Sequence, residues 1–296
     1  MTETFLKQAE AKTSTEGKLS EITLKKDVNT DGKNVITGNI TIKTGEIEFT
    51  TYQVNVQELT KKGTPNPAYQ SVATILDTCH SIAEVGEAEA SCVAVRSGDL
   101  NPYTSFNEAG QKSNRMSYKA SFINRVNEDK MEPHSTFKVE CYIDSMEYEK
   151  DENEQETGRL ILHCLLPIYN NGIEPFDIVT PKEYASAMER LFSDPDNASA
   201  LIGGKIINKN EEIKKVTEMA VGDNIIETSH KRSSELLLTS ANPLEEQYSA
   251  DTIQKAITEY SLVLEERKQK RMNKGNSTTP TGSIGTKSST NKGWTW

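Results

Sequence analysis

No apolar run in this chain approaches the roughly 18 residues that a membrane-spanning helix needs, and the stretch Met1 to Ser20 holds no apolar signal core. Both absences point to a soluble, intracellular protein. Cysteine is scarce too: Cys79, Cys92, Cys141 and Cys164 are scattered without a C-x-x-C pair, which argues against a disulfide framework. His80 adjoins Cys79 and His163 adjoins Cys164. Adjacent residues on a strand face opposite ways, so neither pair has the geometry to share a metal. Aromatic residues make up only 6% of the chain, and its two tryptophans, Trp294 and Trp296, both stand at the C-terminal end. The signatures G-x-x-x-x-G-K-[ST], G-x-S-x-G, H-E-x-x-H and a post-strand G-x-G-x-x-G are missing. The acidic run Asp151-Glu152-Asn153-Glu154 reads as a solvated hairpin tip rather than a metal site. The chain is therefore expected to be a non-enzyme with no cofactor and no metal.

What is present is charge and alternation. The 296 residues carry 34 Lys plus Arg against 44 Asp plus Glu, a net −10. The seven cations from Arg267 onward (Arg267, Lys268, Lys270, Arg271, Lys274, Lys287, Lys292) have no acidic residue among them, so the preceding 266 residues hold −17. An acidic body with a basic tail does not coat nucleic acid by raw charge, but it leaves room for binding through local grooves and stacking.

Alternating apolar positions predict strands at Leu19 to Leu24, Val35 to Ile42 and Ile47 to Leu59. In the last, Ile47, Phe49 and Thr51 share one parity and Tyr52, Val54 and Val56 the other, which predicts a bulge. Three- and four-residue apolar spacing predicts one helix over Ala68 to Val85, followed by a strand at Ala90 to Arg96. A long polar stretch, Ser97 to Arg115, leads to a strand at Met116 to Val126. This is the element order of a five-stranded OB barrel. The order then repeats: strands at Thr136 to Glu149, Arg159 to Tyr169 and Ile173 to Thr180, a helix opened by Pro181, and strands at Ala198 to Ile207 and Ile213 to Ile226.

The expected architecture is mainly β with some α. It comprises a polar leader at 1–17 with weak helical tendency, two tandem OB-like barrels at 18–130 and 131–240, a C-terminal helix at 241–272, and a disordered basic tail at 273–296. Glu235 to Thr239 is a further short strand candidate.

Binding has a foothold where catalysis has none. Between Leu100 and Arg125 the chain interleaves Tyr103, Phe106, Lys112, Arg115, Tyr118, Lys119, Phe122 and Arg125, with no acidic residue between Glu108 and Glu128. Single-stranded nucleic acid is held by such a mixture, bases stacking on aromatic faces while cations meet phosphates. Tyr103, Phe106, Lys112, Arg115, Tyr118, Lys119 and Arg125 are candidate nucleic-acid contacts, with Tyr118 also a candidate for the core. Phe122 is assigned to the core. Lys43 and Tyr52 join the candidates because they fall on the second and third strands, where OB barrels bind ligands. Trp294 and Trp296 form a candidate partner-docking end.

The runs GNITIKTGEIEFTTYQVNVQEL, KASFINRVN and ETGRLILHCLLPIY, together with the late helix, resemble the replication-associated, OB-fold single-stranded DNA-binding proteins of tailed phages and prophages of low-GC Gram-positive bacteria. The resemblance spans roughly residues 18 to 270. It implies a protein that coats single-stranded DNA, or RNA, in the host cytoplasm during replication or recombination, recruits replication or recombination proteins through its C-terminal tail, touches no membrane and is capable of oligomerising. Many such proteins end in an acidic tail with a terminal aromatic; here the tail is basic and keeps its aromatics. A β-rich phage structural or assembly protein docking through that tail is the alternative.

Overall fold

In the computed structural model, which describes residues 6–217 and 225–276, the chain builds one continuous β-sheet system with four helices. The strands are β1 (Ala11–Ile22), β2 (Lys25–Val28), β3 (Asn34–Lys43), β4 (Phe49–Gln57), β5 (Cys92–Phe106), β6 (Lys112–Lys119), β7 (Asn124–Val126), β8 (His134–Lys150), β9 (Glu156–Ile168), β10 (Gly172–Thr180), β11 (Ser199–Thr217) and β12 (Ile225–Pro243). The helices are α1 (Pro67–Thr78), α2 (Ile82–Val85), α3 (Lys182–Phe192) and α4 (Ala250–Asn276). Among the described residues no helix is long and apolar enough to cross a membrane.

The pairings close on themselves twice. β1 pairs β3, β3 pairs β4, β4 pairs β6, β6 pairs β5, and β5 returns to β1. The second half repeats the circuit with β8, β9, β10, β12 and β11. In each circuit one contact is parallel, β4 with β6 and β10 with β12. The two are stitched through β1, whose Ala11 to Glu16 also pair antiparallel with His134 to Val139 of β8. Gly17 sits where β1 crosses β3, and a side chain there would run into the Lys43 carbonyl. Gly204 is its counterpart in the second circuit, against Leu237 and the Phe137 ring. Only glycine lets the backbones come that close.

Alternation fills the interior: Val54 and Val56 on β4, Ile40 and Ile42 on β3, and Leu160 and Leu162 on β9 are buried. β4 pairs straight through from Gln57 to Phe49 without a bulge, so Tyr52, Val54 and Val56 point inward while Phe49, Thr51, Gln53 and Asn55 line the outer face. The phase shift expected there does not occur.

Other boundaries also move. Residues 11–17, read as a weakly helical leader, are the first half of β1. The single helix expected over Ala68 to Val85 is two. Cys79 is extended, and Ser81 opens α2 with a capping box to Glu84. The polar stretch Ser97 to Arg115 is not a loop: β5 runs to Phe106 and β6 begins at Lys112, leaving a turn of five residues. The strand expected over Ile213 to Ile226 straddles a long hairpin whose return strand, β12, contains the Glu235 to Thr239 run. This hairpin reaches the first circuit, where the Lys209 backbone forms an isolated antiparallel β-bridge with Glu48 and the Asn210 amide donates to the Ile47 carbonyl at 2.9 Å. The C-terminal helix continues past Met272 to Asn276.

Candidate nucleic-acid interface

The β5–β6 hairpin carries most of the candidate residues. Leu100, Pro102 and Thr104 face inward, so the intervening residues of β5 and their cross-strand partners share the outer face: Asp99 with Lys119, Asn101 with Ser117, Tyr103 with Arg115 and Ser105 with Ser113. Lys119 also lies beside Gln53 of β4, and Gln53 and Thr51 lie opposite Asn39 and Thr41 of β3. One continuous outer surface therefore runs over β3, β4, β6 and the far half of β5. β3, β4 and β6 contain no acidic residue and hold Lys43, Lys112, Arg115 and Lys119. Asp99 is bound by Lys12 at 2.7 Å. Arg115 and Lys119 are exposed and have no ion-pair partner among the described residues.

Phe106 pairs with Lys112 on the opposite, inner side of the hairpin. There a groove of about 620 Å³ opens against α4, lined by Phe106, Lys112, Arg115, Arg267 and Arg271. Arg267 is already committed: its guanidinium donates to the buried Glu174 carboxylate at 3.1 Å and lies over the Tyr260 ring, 5.5 Å from its centroid. Glu174 also accepts from the Thr104 amide at 2.9 Å, so α4 and the hairpin are held through one carboxylate. Arg271 faces Glu108 at 3.9 Å.

Two candidates are corrected, and a third is ion-paired. Tyr52 is fully buried. Its hydroxyl donates to Thr13 Oγ1 at 3.0 Å and shares a 2.7 Å hydrogen bond with Thr15 Oγ1. Burial raises its pKa, partly offset by those two hydrogen bonds. Tyr118, 6.0 Å from Tyr52 between ring centroids, is buried beside it, and burial pushes its pKa up to about 12 against a hydrogen bond with Asn208. Neither ring presents a face to a base. Lys43 is neutralised, its Nζ held by the Glu87 carboxylate at 2.7 Å.

Arg125 is exposed but pairs with Val93 at the start of β5, ten residues along that strand from Tyr103, and the structure does not bring it to the same surface. Phe122, assigned to the core, is half exposed in the link between β6 and β7. Trp294 and Trp296 lie outside the described residues. Phe49, half-buried on the outer face of β4, was missed. Its signal was parity: it shares the odd positions with Thr51 and Gln53, and the expected bulge hid this.

The matching surface of the second circuit is different in kind. His163 on β9 lies between Asp177 at 2.8 Å and Glu147 at 3.2 Å. Burial opposes its protonation, but hydrogen bonds and charge from both carboxylates outweigh burial and raise its pKa. Arg159 is bound by Glu235 at 2.6 Å and Glu149 at 3.5 Å. Arg159 and His163 on that face are spent on carboxylates. Among the described residues no cluster of His, Cys, Asp and Glu could hold a metal ion.

No curated protein matches the chain. Among solved structures it is similar to the wild-type single-stranded DNA binding protein from Thermus aquaticus, at 8% identity and a TM-score of 0.46 over 82% of this chain and 97% of that one. A deletion variant of that protein gives 10% identity and a TM-score of 0.47 over 82% and 98%. A replication protein A heterotrimer bound to single-stranded DNA gives 10% and 0.23 over 88% and 70%. The family model described as YorF matches residues 10–270, most of the chain, and the protein therefore belongs to the YorF family.

Proposed function

We propose that the protein binds single-stranded DNA without catalysing a reaction, coating strands exposed during replication or recombination in the cytoplasm of a cell hosting a phage. The observation that carries this is the outer surface of β3, β4 and β6. In a chain with 44 acidic residues, these three strands have none, and the surface they form displays Arg115 opposite Tyr103 and, four residues further along β6, Lys119. Thr, Asn, Gln and Ser fill the rest, groups that hydrogen-bond bases and sugars without repelling phosphate.

Strand order supports the placement. Numbered within each circuit, the pairing runs 1-2-3-5-4-1 with a parallel contact between the third and fifth strands. We read these as two tandem OB-type barrels, spanning Ala11 to Lys119 and His134 to Pro243, with the helices α1 and α2 or α3 between the third and fourth strands. Oligonucleotides lie across the second and third strands of that fold and its fourth-to-fifth hairpin, here β3, β4 and β5–β6. The acidic second circuit is not a strand-binding surface in this proposal. Recruitment of replication or recombination proteins is assigned to the C-terminal tail.

Titrating an unstructured labelled oligonucleotide at a series of salt concentrations tests the proposal. Contacts from Arg115 and Lys119 contribute about −1.4 to the slope of log affinity against log salt, at about 0.7 per phosphate on single strands. Failure to bind at low salt, or equal affinity for duplex, refutes it.

A further inference from the structure

The long β11–β12 hairpin belongs by pairing to the second circuit, yet its middle section lies against the first. Besides the backbone β-bridge between Lys209 and Glu48 and the Asn210 amide on the Ile47 carbonyl, the Asn208 side chain is close enough to the Tyr118 hydroxyl to oppose the upward push of burial on its pKa. Between this section and the outer face of β1, β3 and β4 lies a groove of about 560 Å³. Its walls include Phe49, Thr41 and Thr51 on one side and Lys209, Asn210 and Arg232 on the other. The volume falls within the range of small-ligand clefts. Lys209 and Arg232 have no ion-pair partner among the described residues, whereas the cations Arg159 and His163 on the second circuit's own face are all paired. One carboxylate, Glu21, also lines the groove. Asn210 Oδ1 is buried without a hydrogen-bond partner among the described residues, an acceptor that a base amine satisfies once the amide rotates.

We infer that this groove is a nucleotide subsite shared by the two circuits, in which Phe49 stacks on a base and Lys209 and Arg232 meet the adjoining phosphates. The inference rests on the proposed single-strand binding and extends it. The second circuit contributes its hairpin rather than its face, and the strand path turns from the β5–β6 hairpin across β4 into the groove. An aromatic floor, two unpaired cations and flanking Thr and Asn groups make up the recognition set for a single-stranded nucleotide. An apolar ligand would leave both charges unmet, and a bare anion would leave the ring unused.

The test compares four full-length proteins titrated with labelled oligothymidylate over a range of salt: wild type, Lys209→Ala with Arg232→Ala, Phe49→Ala, and Arg115→Ala with Lys119→Ala. Melting curves confirm that each is folded. The Lys209/Arg232 variant is expected to lose about 1.4 from the salt slope, two phosphates at about 0.7 each. Phe49→Ala is expected to weaken binding about fivefold or more at constant slope. Because Phe49 is half-buried, Phe49→Leu serves as its second variant: it keeps the packing volume and still loses the stack. Wild-type affinity and slope in the Lys209/Arg232 variant, with loss confined to Arg115/Lys119, overturns the shared subsite and leaves single-strand binding standing. Absence of binding by wild type overturns both.

Discussion

Replacing Tyr52 by Phe separates a structural tyrosine from a stacking one. The ring is fully buried, and its hydroxyl is one node of a chain of hydroxyls. Thr13 Oγ1 and Thr15 Oγ1 flank it at 3.0 and 2.7 Å, Thr15 bonds Ser135 at 2.9 Å, and Ser135 bonds Thr50 at 2.9 Å. Ser135 belongs to β8, so this chain of hydroxyls joins the two circuits. Tyr52→Phe keeps the ring and deletes one oxygen. Thr15 retains Ser135, while Thr13 loses its side-chain partner in a buried site. A buried hydroxyl left without a partner costs about 1–3 kcal/mol, and one lost bond on Thr15 adds little because Ser135 absorbs it. We expect a loss near 2 kcal/mol, which at about 2.1 cal/mol/K of unfolding entropy per residue is a fall in Tm of about 3 °C for a chain of this size, with single-strand affinity unchanged. Thermal melting by circular dichroism and oligonucleotide titration are run on the same preparations. An unchanged Tm with affinity down tenfold would show that the ring reaches the ligand and that its burial has been misjudged.

Arg115→Ala with Lys119→Ala should reduce the salt slope of single-strand binding by about 1.4 without lowering Tm, since both side chains are exposed and unpaired; titration over a salt series checks it. Tyr103→Ala should weaken single-strand binding by about 1–3 kcal/mol, the value of one stacked base, in a direct competition assay against wild type. His163, held between Asp177 and Glu147, has its pKa raised above the ordinary histidine value. Its ion pairs stabilise the fold fully below about pH 6.5 and are lost as pH rises through the raised value. The Tm advantage of wild type over His163→Gln should accordingly shrink between pH 6 and pH 9, and a constant or widening gap would contradict the pairing.

Strand existence was legible wherever one face of a strand is apolar. β3, β8 and β9 alternate cleanly, and their expected spans differ from the observed ones by only a few residues. Legibility failed where inward positions are polar or small. The far half of β5 turns Gly98, Leu100, Pro102 and Thr104 inward, and Thr104 meets the Glu174 carboxylate, so Leu100 is the one aliphatic side chain on its core side and the segment reads as loop. The β11–β12 hairpin failed for a related reason, because its middle section has little core beneath it and packs on another circuit. Tyr52 was misplaced as a ligand contact because a tyrosine on the third strand of an OB-type order is equally suited to either face. Only the unbroken register of β4 decides that it points inward. The candidate surface itself was legible as an acid-free interval holding Tyr103, Arg115 and Lys119. Phe49, Lys209 and Arg232 were not, because strand pairing and chain crossing bring them together from positions far apart in sequence.

The dual pairing of β1 also has a consequence for how the chain is made. Ser14 and His134, joined at 3.1 Å across the ladder between β1 and β8, are 120 residues apart. At about 5–20 residues per second, β8 leaves the ribosome roughly 6–24 s after β1. Throughout that interval the side of Ala11 to Glu16 that β8 later pairs is open, a template for another polypeptide. Adjacent chains on a polysome expose the same edge at once. Slower synthesis through residues 120–140 should therefore raise the insoluble fraction of newly made protein, even though the finished molecule has that edge closed.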